Sequence, residues 1–313
     1  MIEVSVIVAN YNPRWKQLKK TLVSILKQID ISFEIVIADD GSEYDHFDKI
    51  EDLFADHNYN KYKFVKSKEN CGTCMNIYRG LCKSSGRYVK IISPGDYIFN
   101  NQVLRKWVDI MKRHSMKICF GNIECYSYTE KGKPKAIKMI RRPINIKIYS
   151  KHAYSNKGII LNYLFLKDVP FGCCFMTETN LLTDYLKRML NYIKYAEDMT
   201  YKAMLADGER IYYYDEPVVW YEYGSGISTS GNKIWSDIIA KERMQVNRYL
   251  MKHNNQKGLF KLRFILALKV TTNFKTDFLK YIIFPELILW KIKKSLRCEY
   301  TYVGGEISVI DNL

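Results

Sequence analysis

The sequence predicts an α/β protein, a mostly parallel sheet flanked by helices, with a C-terminal helical extension. Three observations predict it. Short β-branched runs alternate with longer helical patterns through the first 100 residues, clusters of polar turn formers follow three of those runs, and apolar and basic residues interleave from about residue 259. A chain of 313 residues is long enough for one large core with an appendage.

The elements follow in order. Val4-Ser5-Val6-Ile7-Val8 reads as a buried strand, and residues 15–28 as a helix with Leu18, Leu22, Ile25 and Leu26 on one face. Glu34-Ile35-Val36-Ile37-Ala38 is a second strand, followed by a helix through Ile50, Leu53 and Phe54. Tyr62-Lys63-Phe64-Val65 is a third strand, residues 73–84 a helix and Tyr88-Val89-Lys90-Ile91-Ile92 a fourth strand. Repeated strand-helix units build parallel sheets covered on both faces, and such sheets bind ligands beyond the carboxyl ends of their strands. Three clusters fall at those ends: Ala9-Asn10-Tyr11-Asn12, Asp39-Asp40-Gly41-Ser42 and Ser93-Pro94-Gly95-Asp96. Each alone is ordinary turn chemistry. Together on one rim they predict a ligand site.

Beyond residue 100 the pattern predicts a helix, a strand around Lys117-Ile118-Cys119-Phe120, a basic loop (Lys131 to Lys135, then Arg141-Arg142-Pro143) and a helical region over residues 180–206. The tail carries Leu262, Phe264, Ile265, Leu266, Phe278, Ile282, Phe284, Leu287 and Trp290 among lysines. Lys280, Pro285 and Glu286 interrupt it too early for the roughly 20 apolar residues that a membrane span needs. An amphipathic basic stretch of this kind predicts contact with the inner leaflet of a membrane, against the alternative of a helical subdomain packed on the core. The expected division is residues 1–230 as one domain, with a donor half to residue 100 and an acceptor half from 101, and residues 231–313 as the extension.

Composition narrows the function classes. Hydrophobic residues make up 47% and charged residues 26%, the balance of a folded globular protein. The net charge is +16, and residues 252–297 hold 11 Lys or Arg against only Asp277 and Glu286. Basic residues thus gather in the amphipathic tail and not around stacks of exposed aromatics, so nucleic acid is not an expected partner. The chain opens straight into a strand pattern without a signal-peptide n-region, which predicts a cytoplasmic protein. Eight scattered cysteines read as reduced thiols, and Cys71-Gly72-Thr73-Cys74 lacks the second pair or histidines of a zinc site. The five histidines form no cluster, and no phosphate-binding G-x-x-x-x-G-K-[ST] is present.

The opening strand with its Tyr11-Asn12 turn, the Asp39-Asp40-Gly41-Ser42 turn, and Asn70-Cys71-Gly72 followed by Gly80 and Gly86 stand in an order and spacing that resemble the family 2 glycosyltransferases of the GT-A, Rossmann-like fold. Weaker similarity continues through Pro170-Phe171-Gly172, Ala196-Glu197-Asp198 and residues 221–228. The resemblance implies a nucleotide-sugar donor, with a UDP-sugar favoured. It also implies roles: Ala9, Tyr11, Asn12, Asp39, Asp40, Asn70, Gly72, Ser93 and Gly95 on the donor, Asp96 on Mn²⁺ or Mg²⁺, and Asp198 as the general base of an inverting transfer. Glu197 and Ser225 would line the substrate.

The sequence departs from the family pattern in two places. Ser93-Pro94-Gly95-Asp96 keeps one carboxylate where the family usually has three, which puts metal dependence in question. Ile77 stands where an Arg is usual, with Arg79 or nearby lysines as substitutes. The acceptor implied is a glycan or polyprenyl-linked hydroxyl; Lys-, Ile- and Asn-rich usage points to an AT-rich bacterial genome, for which capsule, cell-wall or lipopolysaccharide assembly would fit. A homo-oligomer is compatible with the sequence. The alternative is a glycosyltransferase-like protein that binds nucleotide sugar or glycan without turnover. The reduced acidic motif favours it, and retention of Asp96 together with Asp198 opposes it.

Overall fold

The computed structural model describes residues 1–150, 156–224, 226 and 231–296. Strands β1 (Val4–Asn10) and β2 (Phe33–Asp39) pair in parallel from Val4 beside Phe33 to Asn10 beside Asp39. Both are buried on their two faces, which is why they read as unbroken apolar runs and not as alternation. Helix α1 (Trp15–Leu26) connects them and buries Leu18, Leu22 and Ile25, while α2 (Phe47–Asp56) buries Ile50, Leu53 and Phe54. Strand β3 (Tyr62–Lys66), helix α3 (Thr73–Lys83) and strand β4 (Tyr88–Ile92) complete the parallel half. The strands and helices predicted for the first 100 residues are present with ends shifted by one or two residues.

The second half mixes strand directions. After β5 (Tyr97–Ile98) and α4 (Val103–Arg113) comes the long strand β6 (Ile118–Tyr128), which pairs antiparallel with β7 (Pro134–Ile137). The basic loop predicted at Lys131–Lys135 is therefore the turn and first residues of a hairpin. Helix α5 (Asn156–Ile160), strand β8 (Phe175–Glu178), helices α6 (Thr179–Met189) and α7 (Thr200–Asp207) and strand β9 (Ile211–Glu222) follow. The helical region predicted over residues 180–206 is thus two helices. A connecting turn at Glu197–Met199 separates them.

Among the described residues the nine strands form one sheet in the order β3-β2-β1-β4-β8-β6-β9-β5, with β7 on the side of β6. Strand β8 is antiparallel to both β4 and β6, so the parallel half ends at β4. The carboxyl ends of β1, β2 and β4 consequently open on one rim, as predicted from the turn clusters.

Helix α8 (Lys233–Lys252) leads to α9 (Gly258–Thr271), α10 (Lys280–Ile283) and α11 (Glu286–Leu296). This tail packs on the core. Phe264, Phe284 and Leu287 are fully buried, and the Phe165 ring lies 5.9 Å from that of Phe264 and 5.5 Å from that of Phe284. A second set of apolar side chains points outward: Phe274 is 97% exposed, and Leu259, Leu262, Phe278, Ile282 and Leu289 are also exposed. No helix among the described residues is long and apolar enough to cross a membrane.

Candidate active site

A cleft of about 1220 Å³ opens at the rim where β1, β2 and β4 end. Its donor side is held by stitching between the three turn clusters. Asn12, in the left-handed backbone region at φ 45°, donates its backbone N–H to Ser42 Oγ (2.7 Å) and accepts from the Glu43 N–H through Oδ1 (3.0 Å). Asp40 accepts the N–H groups of Cys71 (2.9 Å) and Gly72 (2.8 Å), and burial raises its carboxyl above the ordinary range despite those bonds. Gly72 has φ 93°, and a Cβ there would run into Lys194 at 2.5 Å. This position requires glycine both for backbone conformation and for close approach.

Ala9, Tyr11, Asn12, Asp40, Asn70, Gly72, Ser93 and Asp96 line the cleft. Asp39 does not. It is fully buried, and its two oxygens accept the Ser42 N–H (2.8 Å) and Ser42 O–H (2.5 Å), so it shapes the turn from behind. Gly95 also lies off the lining, and a side chain there would strike the Glu222 carboxylate. Its absence of a Cβ lets Glu222 stand beside Asp96. Arg79 does not reach the cleft either: its guanidinium donates to Ser67 Oγ and to Cys71 Sγ (3.4 Å), tying the loop before α3, and Ile77 is core. Ser225 lies outside the described residues.

The structure adds three residues on the donor side that the sequence reading did not single out. The Asn10 side chain lines the cleft floor, is 1% exposed, and finds no hydrogen-bond partner for either its N or its O. A buried unpaired amide facing a cleft fits the polar edge of a ligand. Lys90, in the middle of β4, is fully buried and donates to the carbonyls of Ile91 (2.7 Å) and Cys173. Glu222, at the end of β9, accepts from Gln17 Nε2 at 2.7 Å, and its own N–H donates to Asp96 Oδ1 at 3.2 Å.

Asp96 is 7% exposed, and burial pushes its carboxyl up to about 7, against the pull of the Glu222 N–H and Lys90 and with a push from the Glu222 carboxylate. Two neighbouring carboxylates that resist ionisation together fit an oxygen-ligated divalent cation, which would favour the charged forms. No group of three ligating side chains gathers among the described residues, so a diphosphate and water would supply the remaining ligands.

A carboxyl raised from 3.8 to about 7 contributes most to stability below pH 4 and loses that contribution as pH rises through 7. Asp96→Asn is expected to melt increasingly above the wild type, by a few degrees, as pH goes from 5 to 8 without divalent cation. Thermal melts at each pH check this, and a constant difference would contradict it.

The cleft is also lined by Glu197 and Asp198, half-buried on the turn before α7 and next to Gly172. Burial raises both carboxyls; the Asp198 charge pushes Glu197 further up, while Lys202 and Arg243 pull Asp198 back down. Nearby cations thus favour the ionised form of Asp198, while the Asp198 charge disfavours that of Glu197. The loop leading to it is pinned by Glu242 of α8, 6% exposed, whose carboxylate accepts the N–H groups of Lys194 (2.9 Å), Tyr195 (3.0 Å) and Ala196 (3.0 Å). Trp235, Ile239 and Arg243 of the same helix line the cleft. Helix α8, expected in a separate extension, is therefore part of the wall of the site.

A Rossmann-like sheet with a nucleotide-sized, partly acidic cleft at its carboxyl rim defines a class that comparison with known proteins narrows. The sequence profile described as "Glycosyl transferase family 2" matches residues 5–192, more than half of the chain. The chain belongs to glycosyl transferase family 2. A curated relative, an uncharacterized glycosyltransferase of Rickettsia bellii (strain RML369-C), is 31% identical over 101 residues, a match spanning 32% of this chain and 14% of that protein.

Among solved structures, S. aureus TarS 1-349 in complex with UDP-GlcNAc aligns with TM-score 0.58 at 17% identity, over 93% of this chain and 79% of that one. The mannosyltransferase PcManGT from Pyrobaculum calidifontis, in complex with GDP-Man and Mn²⁺, aligns with TM-score 0.58 at 14% identity, over 99% and 78%. At these identities the likeness establishes the fold, which is GT-A.

Proposed function

We propose that the protein transfers a sugar from a nucleoside-diphosphate sugar to an acceptor hydroxyl, with inversion at the anomeric carbon. The observation that carries this is that two acidic groups line one cleft, Asp96 with Glu222 and Glu197 with Asp198. The donor would lie across the rim of β1, β2 and β4, its base near Tyr11 and Asp40 and its diphosphate toward Ser93 and Asp96. UDP-sugars are the favoured donors. Asp96, with Glu222 beside it, would hold Mn²⁺ or Mg²⁺, which supplies charge neutralisation to the leaving diphosphate. Asp198 would take the proton of the acceptor hydroxyl as it attacks.

A thermal-shift panel of nucleoside diphosphates tests the donor site. UDP with Mn²⁺ is expected to raise the melting temperature, because a ligand bound to the folded state alone stabilises it by mass action. No shift with any nucleoside diphosphate, with or without Mn²⁺, would oppose the reading.

The outward apolar side chains of the tail, Phe274, Phe278 and Ile282 among them, stand with Lys275 and Lys291 and support peripheral binding to an anionic membrane face. A glycan or polyprenyl-linked acceptor of bacterial surface polysaccharide synthesis, such as capsule, would be met there. Replacing Phe274, Phe278 and Ile282 together by Ser is expected to abolish co-sedimentation with phosphatidylglycerol vesicles and to leave the melting temperature unchanged, since all three are exposed. Retained sedimentation would remove membrane contact from the account.

A further inference from the structure

Beside Asp198 the cleft wall carries three cations: Lys167 on the loop after α5, Lys202 on α7 and Arg243 on α8. Lys202 is only 8% exposed. Among the described residues none of the three has a hydrogen-bond or ion-pair partner. Burial, with the charges of Arg243 and Lys167, pushes the Lys202 ammonium down to about 7, and Asp198 is the carboxylate that pulls it back. Asp277 and Lys280, which also face Lys167, are paired with each other at 2.5 Å and offset one another.

A buried ammonium without a partner is costly, and one cation would be enough to balance the single charge of an Asp198 carboxylate. Three converging cations exceed that need. They also stand apart from the donor side electrostatically: Asp96 responds to Lys90 and Glu222, and Asp40 to Arg79 and Asp39.

Resting on the glycosyltransferase reading, we infer that Lys167, Lys202 and Arg243 form an anion subsite next to the base, and that the acceptor brought to Asp198 carries a phosphate group held there. A phosphate matches the cluster better than a single carboxylate does. It offers up to two charges and several acceptor oxygens to the roughly eleven N–H donors of two ammonium groups and a guanidinium. The phosphate could belong to a lipid, since Lys167 adjoins the tail segment that exposes Phe274 and Phe278, or to a water-soluble phosphoglycan. The chemistry recognised is the same.

The test is calorimetric titration of inorganic phosphate into the full chain with UDP and GDP present in excess. Wild type is expected to bind phosphate under these conditions. Arg243→Gln and Lys202→Met should each weaken it by about tenfold or more, with Arg243→Lys recovering part of the loss, and their affinity for the nucleotide should change by less than about twofold. Melting temperatures identify any variant that fails to fold, and the partly exposed Arg243 then decides the outcome alone.

Competition separates the sources: geranyl phosphate outcompeting glycerol phosphate marks a lipid-borne group, and equal competition marks a soluble one. Three results would overturn the inference: no phosphate binding, acetate competing as well as phosphate, or nucleotide affinity falling in parallel with phosphate affinity. Phosphate binding without turnover of any nucleotide sugar would instead sink the functional reading and leave the subsite standing.

Discussion

Asp198→Asn is expected to lower sugar transfer by about 10²- to 10⁴-fold, the usual contribution of a positioned general base, with nucleoside-diphosphate binding unchanged. Asn matches Asp in shape, and the contact of the Tyr163 hydroxyl is to the Asp198 carbonyl oxygen, which the substitution retains. The wild-type rate is also expected to rise with pH through a midpoint above the ordinary aspartate range of about 3.9, because burial raises the Asp198 carboxyl and only its ionised form accepts the proton. Steady-state rates over a pH series check both statements. Normal transfer by the variant would remove Asp198 from the base role.

Glu242→Ala should act on the same step from a distance. Its carboxylate is the shared acceptor for three successive N–H groups, of Lys194, Tyr195 and Ala196, so truncation leaves buried donors unpaired at a cost on the order of 3 kcal/mol. The expected melting temperature falls by about 5–10 °C. The loop that carries Asp198 loses its anchor, so kcat is expected to fall while KM for the donor stays nearly constant. A change confined to stability would make Glu242 a structural residue only. Parallel loss of donor affinity would place its effect on the other side of the cleft.

Sequence pattern carried the parallel half of the fold because strands buried on both faces leave an unbroken apolar signature, as β1 and β2 do. Strand β7 escaped for the opposite reason. It begins at Pro134, with Lys133 just before it and Lys135 within it, the composition by which exposed edge strands avoid further pairing and also the composition of a loop. The two aspartates of the β2 turn are one residue apart and chemically alike, yet only Asp40 lines the cleft. The signal that separates them is Ser42, three residues after Asp39, which fits a side-chain-closed turn.

Lys90 was visible as a lone charge in an apolar run, a cue for a buried functional or structural cation. Glu222 stands out in the sequence only as one residue of the 221–228 segment, and nothing local connects it to Asp96, 126 residues away in the chain. The contribution of α8 was hidden for the same reason: Glu242 meets its partners across 46 to 48 residues. The amphipathic reading of the tail captured two faces of different fate. Phe264 and Phe284 serve the core, while Phe274 and Phe278 face outward.

Release of nucleoside diphosphate from a panel of UDP- and GDP-sugars, with and without Mn²⁺, measures whether this cleft turns over a nucleoside-diphosphate sugar. Wild type is expected to release nucleoside diphosphate from at least one donor, faster with Mn²⁺, and Asp96→Asn is expected to lose that acceleration. Absence of release from every donor, with folded protein and measurable nucleotide binding, would contradict the proposed function and leave a nucleotide-sugar-binding protein in its place.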